Sequence, residues 1–188
     1  MATPRIAPIE PPYSDTVKDA FNKIMPPGRD PLIIFRTFAH NPAILRKQMA
    51  LGASLLTSDR LPARDREIVI LRTCARCGSE YEWGVHVSAF ARPLKISEDV
   101  ICATVLGGPD DPAWDDRQRL LVRFVDELHD TAQVSDALWD ALTRVWSDEQ
   151  LIELICVCGM YHAVSFTTNA TRMALEPDAD RFPTASPA

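Results

Sequence analysis

The sequence predicts an all-α fold, on three observations. Apolar residues recur at three- and four-residue intervals along most of the chain. No credible strand-like alternation appears, and the periodic segments are bounded by residues that start or stop helices. Together these predict a single-domain helical bundle.

The elements follow in order. The first twelve residues hold four of the fifteen prolines and predict an irregular N-terminal arm over 1–12. Ser14 can cap a first helix carrying Val17, Ala20, Phe21, Ile24 and Met25, which Pro26-Pro27-Gly28 stops. Pro31 to Ala39 reads as a short apolar helix. Asn41-Pro42, a cap followed by proline at the first helical position, opens another that runs to about Thr57. Pro62 starts a helix whose Ile68, Val69, Ile70 and Leu71 predict burial, and Gly78 ends it.

Ser79-Glu80-Tyr81-Glu82 has capping-box spacing and predicts a helix to about Ala91. Ser97 caps the next, and Gly107 to Pro112 is a loop. Trp114 to Asp130 is strongly amphipathic, with Leu120, Leu121, Phe124, Val125 and Leu128 on one stripe. Asp136 to Val145 forms a shorter helix, and the capping box Ser147 to Gln150 opens a long one towards Leu175. The domain therefore spans 13–176, with a flexible Pro, Asp and Ala rich tail over 177–188. Residues 63–71 and 148–155 echo each other. The echo fits a duplicated helical unit and equally fits the general likeness of amphipathic helices.

Composition bounds the function. At 188 residues, with 46% hydrophobic residues, the chain can bury roughly 70% of its unfolded surface and needs no disulfide or metal for stability. A net charge of −6 argues against sequence-independent nucleic-acid binding. No apolar stretch reads as a signal core or a bilayer span, so a cytoplasmic protein with no membrane partner is expected. Five cysteines, an odd number, fit reduced thiols in that setting.

Reactive side chains concentrate between Glu67 and His86. Glu82 and His86, four apart, share a helix face, where the carboxylate can orient the imidazole as a general base. The plainer reading is that Glu82 completes the cap and His86 is a partly buried surface residue. Cys74-Ala75-Arg76-Cys77 has redox or half-metal-site spacing, but both thiols fall at a helix C-terminus, where the dipole opposes a thiolate. Zinc held by this pair with Cys156, Cys158 and His162 is disfavoured, because Cys156 and Cys158 point to different sides of a helix. Cys102, Cys156 and Cys158 read as buried, inert thiols. Tyr161, His162 and Asn169 read as polar residues satisfying one another, His40 and His129 have no companions, and Arg66, Arg72 and Arg76 read as solvated or ion-paired.

The segment Arg66 to Thr73, followed by Glu80-Tyr81-Glu82-Trp83-Gly84-Val85-His86-Val87, resembles the carboxymuconolactone decarboxylase family, which includes alkyl hydroperoxidase D. The Tyr-Glu-Trp-x-x-His string carries the likeness, and a looser similarity covers roughly residues 40–175. The family's peroxidase branch carries a glutamate, then Cys-x-x-Cys-x-x-x-His. Anchored on His86, that pattern puts its cysteines at Ser79 and Glu82 and its glutamate at Glu67, so both redox cysteines are missing. Anchored on Cys74 and Cys77, it finds Tyr81 for the histidine and Pro62 for the glutamate.

The first register implies the branch doing cofactor-free, metal-free acid–base chemistry on a small lactone or keto acid. His86 would be general acid/base, Glu82 its orienter, and Glu67 a second proton carrier or substrate holder, with Ser79, Tyr81 and Trp83 candidate substrate contacts. The alternatives are a thiol peroxidase or disulfide reductase using Cys74 and Cys77, and a non-catalytic helical binding protein. The resemblance also implies an alkyl hydroperoxidase D-like bundle assembling into trimers or hexamers.

Overall fold

A computed structural model describes residues 3–25 and 28–184, and among these residues the regular structure is entirely helical. Residues 1, 2, 185–188 and the Pro26-Pro27 stop lie outside the described residues. The helices are α1 (Asp15–Phe21), α2 (Ile33–Phe38), α3 (Pro42–Leu56), α4 (Ala63–Arg76), α5 (Glu80–His86), α6 (Glu98–Leu106), α7 (Asp116–Thr131), α8 (Asp136–Leu142) and α9 (Asp148–Thr171).

Helix α4 is the axis of the molecule. Its Ile68, Val69, Ile70 and Leu71 are all sealed from solvent, because α7, α9, α5 and α6 pack around it. Burying each contributes about 1.5–3 kcal/mol relative to exposure. A second, smaller cluster of Val17, Ala20, Phe21, Ala39 and Leu45 holds α1–α3 as an outer layer.

Local chemistry fixes the helix ends. Asn41 accepts from the Ile44 amide with Pro42 at the first helical position, and Ser97 accepts from the Val100 amide. Ser147 with Gln150 forms the expected capping box, and Asp115 with Gln118 forms one the sequence reading did not single out. Gly78 turns the chain out of α4 at φ +64°, where a side chain would be strained.

Four expectations need correction. Ser79 stands at the N-cap of α5 but makes no capping hydrogen bond; its hydroxyl pairs with Thr168 Oγ1 at 2.8 Å in the core. The helix begun at Glu80 is α-helical only to His86 and continues as a π-helical turn over Val87–Ala91. Helix α9 does meet the length and apolarity of a bilayer span, with mean hydropathy 1.4 over an 18-residue window, but half of that window is buried inside the bundle. Finally, residues 177–184 are tied down. Asp180 accepts from Ser88 Oγ at 2.5 Å and pairs with Arg92 at 2.9 Å, Phe182 packs edge-on against Trp83, and the Phe182 amide donates to Glu80. The arm over 3–12 is irregular and is pinned by hydrogen bonds from Arg5 to Thr171 and from Ile9 to Arg36.

Candidate active site

Glu67 projects from the buried face of α4 and is fully enclosed, which a carboxylate tolerates only with partners. Its Oε2 lies 2.8 Å from His86 Nδ1, while its Oε1 lies 3.8 Å from Arg66 Nε. On the other side of the ring, His86 Nε2 is 3.5 Å from Glu82 Oε1, one helical turn earlier. Both ring nitrogens therefore face a carboxylate. The π-helical turn after His86 carries Phe90, which stacks on the imidazole with centroids 4.8 Å apart and planes 22° apart. Tyr161 of α9 closes the site edge-on, with its centroid 4.9 Å from that of His86.

The electrostatics follow from this clamp. Burial alone would push the imidazole towards its neutral form, but the charge and hydrogen bond of Glu67, assisted by Glu82, raise the His86 pKa from 6.5 to about 9. The ring is thus an imidazolium at neutral pH. Burial, reinforced by Glu82 and Glu67, raises the Tyr161 phenol well above its ordinary value, so it stays a hydroxyl.

His86, Glu82 and Tyr161, with Gln48 and Lys23, form the polar part of the wall of a cavity of about 360 Å³ between α2, α3, α5 and α9. Most of the wall is apolar, with Phe35, Phe38, Leu56, Phe90 and Met160 prominent. Lys23 is the one Lys or Arg among the described residues lining it.

The structure brings together Glu67, Glu82 and His86. It exchanges the positions expected of the two carboxylates, since Glu67 holds the ring and Glu82 faces the cavity. Ser79, Tyr81 and Trp83 do not line the cavity. Tyr81 Oη bonds the Ile34 amide and Glu176, and Trp83 Nε1 donates to Thr104 Oγ1 at 2.9 Å.

Cys74 is fully buried, and burial followed by Glu82 raises its thiol pKa well above normal; burial raises that of half-buried Cys77 as well. All five thiols are free, with Cys158 buried as expected, Cys102 half-buried and Cys156 exposed. Arg72 and Arg76 are ion-paired with Asp126 and Asp130.

The expected Tyr161, His162 and Asn169 group is divided. Tyr161 belongs to the cavity, Asn169 Nδ2 donates to the Cys77 carbonyl, and His162 meets His129, 3.0 Å away. His129 therefore does have companions. Periodicity did not reveal the contribution of Tyr161 to the site, although its four-residue spacing from Val157 on one face of α9 placed it inward.

Residues 42–122 match the model of the carboxymuconolactone decarboxylase family. No curated protein matches the chain in sequence. Among solved structures, an uncharacterized peroxidase-related protein from Silicibacter sp. TM1040 is 19% identical with a TM-score of 0.75, the match covering 95% of this chain and 96% of that one. An alkylhydroperoxidase AhpD core protein from Ralstonia eutropha JMP134 is 20% identical, with a TM-score of 0.74 and coverage of 94% and 95%. A cysteine-to-alanine variant of the debrominase Bmp8 in complex with 2,3,4-tribromopyrrole is 16% identical, with a TM-score of 0.73 and coverage of 94% of each chain. At these identities the likeness is one of fold.

Proposed function

From the match of residues 42–122 to the carboxymuconolactone decarboxylase family, we propose that the chain is an enzyme of this family performing cofactor-free acid–base chemistry on a small lactone or keto acid. The observation that carries this reading is the His86 ring, held between two carboxylates at the wall of an apolar cavity. Glu67, bonded to Nδ1, fixes the ring so that its Nε2–H points to Glu82 and the cavity. Glu67 is therefore the positioning residue, while His86 and Glu82 are the groups that meet substrate.

In a decarboxylation, the bond between the substrate carbon and its carboxylate breaks, carbon dioxide leaves, and the electron pair passes into the neighbouring carbonyl as an enolate. His86 Nε2–H then delivers its proton to that carbon, and solvent, through Glu82, restores it. The Tyr161 hydroxyl is a donor for the enolate oxygen. The aromatic and methionine wall suits a small planar ring, the size class of the tribromopyrrole bound by the debrominase of similar fold. Both thiols of the Cys-x-x-Cys are held protonated, which supports the acid–base reading over the thiol peroxidase. The expected trimer or hexamer is part of the proposal, supported by exposed Ile152, Ile155 and Phe166 along one face of α9.

The test is a panel of β-keto acids and unsaturated lactones incubated in deuterated water. One class should release carbon dioxide or exchange its α-proton, with deuterium entering at carbon. His86→Asn should slow this at least about a hundredfold. Peroxide turnover that depends on Cys74 and Cys77, with no turnover anywhere in the panel, would overturn the proposal.

A further inference from the structure

On the side of α9 away from the cavity, three metal-ligating side chains from three helices converge. Cys77 is the C-cap residue of α4, His129 lies in the last turn of α7, and His162 lies in the middle of α9. His129 Nδ1 is 3.0 Å from His162 Nε2 and 3.9 Å from Cys77 Sγ, and all three ligand atoms lie within 4.8 Å of one another. All three residues are partly exposed, so an ion has a path from solvent.

We propose that Cys77, His129 and His162 form a zinc-class transition-metal site with an open fourth position. A tetrahedral zinc ion with ordinary bond lengths sets its nitrogen ligands about 3.3 Å apart and its nitrogen and sulfur ligands about 3.6 Å apart. The His129–His162 and His129–Cys77 separations each fall within a few tenths of an ångström of these values, and Cys77 Sγ lies within 4.8 Å of the His162 ligand atom.

The surroundings prepare the ligands. His162 Nδ1 is 2.9 Å from the Cys158 carbonyl, so it carries the proton and leaves the Nε2 lone pair facing His129. Asn169 donates to the Cys77 carbonyl at 2.7 Å and holds the end of α4 against α9. Two of the ligands sit at the C-terminal ends of α4 and α7, where the helix dipoles favour a cation. The nearby Arg76 does not oppose this, since Asp126 and Asp130 neutralise it. Cys158 is not the fourth ligand, because its thiol lies beside Thr73 and on the Nδ1 side of His162. A thiolate with two imidazoles selects zinc, cobalt or copper over magnesium and calcium. As the metal–sulfur bond forms, the Cys77 thiol proton is released to solvent.

This set differs from the zinc set considered from the sequence, sharing only Cys77 and His162 with it. The missing ligand was His129, 33 residues from His162 in sequence.

Cobalt titration of the chelator-treated full chain should show one tetrahedral equivalent with a sulfur-to-cobalt charge-transfer band, displaced by zinc. Cys77→Ser should abolish that band, and His129→Ala or His162→Ala should each weaken binding at least tenfold. Cys156→Ser should change nothing. On the unmodified protein, zinc should protect Cys77 from alkylation while Cys156 still reacts, a readout independent of whether any variant folds. Binding that survives in the His129→Ala, His162→Ala double variant, or no cobalt uptake and no protection of Cys77 at millimolar metal, overturns the proposal.

Discussion

Glu67 Oε2 and His86 Nδ1 meet at 2.8 Å inside the bundle, the carboxylate wholly enclosed and the imidazole almost so. A neutral imidazole could be buried without a partner charge, and a charged one could not. The pair therefore sets the protonation of the ring that faces the cavity, and through it what the cavity can do.

Glu67→Gln should lower the His86 pKa from about 9 by at least about one unit, read by NMR titration of the ring, because burial then acts with less opposition. The sign for stability follows from the raised value. The contribution of the charged ring is fully present below about pH 6.5 and is lost as pH rises through about 9. Melting temperature in the unmodified protein should fall across that window, and the fall should flatten in Glu67→Gln. An unchanged ring pKa in the variant would remove Glu67 as its cause.

Gly52 lines the cavity, and a Cβ there would come within 2.9 Å of Met160 Cε, the mobile end of a flexible side chain. Gly52→Ala should leave stability within about 1 kcal/mol of the parent, since Met160 can move and alanine favours the helix. Affinity for the bulkier ligands of a panel should fall more than affinity for the smaller ones. Equal losses across sizes, measured by calorimetry, would place ligands elsewhere.

Gly84 behaves differently. A Cβ on it would stand 2.1 Å from the Asp180 carbonyl oxygen, a backbone atom that can retreat only if the whole segment lifts. Gly84→Ala should cost about 1–3 kcal/mol in chemical denaturation. It should also free residues 177–184, so that trypsin cuts after Arg181 much faster than in the parent. Unchanged cleavage would show that Asp180 is not held by this approach.

These cases mark what the sequence could convey. Helix identity and most ends were legible because caps and stops are local, as Asn41-Pro42, Ser97 and Ser147 show. The Glu82–His86 pair was legible for the same reason, being one helical turn. The partner on Nδ1 was not, because Glu67 reaches His86 only once α4 and α5 pack, and its spacing came from the family pattern instead. The tail reads as mobile by composition, and what anchors it is a missing Cβ at Gly84 and a serine at Ser88, far away in sequence. The π-helical turn that puts Phe90 on His86 has no residue signature in Val87–Ala91.

Arg72 joins three helices and offers the sharpest stability test. Its Nε and Nη2 bind the two oxygens of Asp126 at 2.7 and 2.8 Å, and its Nη1 binds the carbonyls of Thr104 and Gly107 at 3.1 and 2.8 Å. The guanidinium is buried and the Asp126 carboxylate mostly so, so these contacts meet little competition from water. Lysine keeps the charge but lacks the planar fork, and Arg72→Lys should lose about 2 kcal/mol. Asp126→Ala, which leaves the guanidinium buried without its carboxylate, should lose about 3–5 kcal/mol. Replacing both by leucine should cost clearly less than Arg72→Leu and Asp126→Leu combined, because the larger part of each single loss is an unpaired buried charge. Urea denaturation of the four proteins decides it. Strictly additive losses would show that the pair is not coupled, and that α4 is held to α6 and α7 by its apolar face alone.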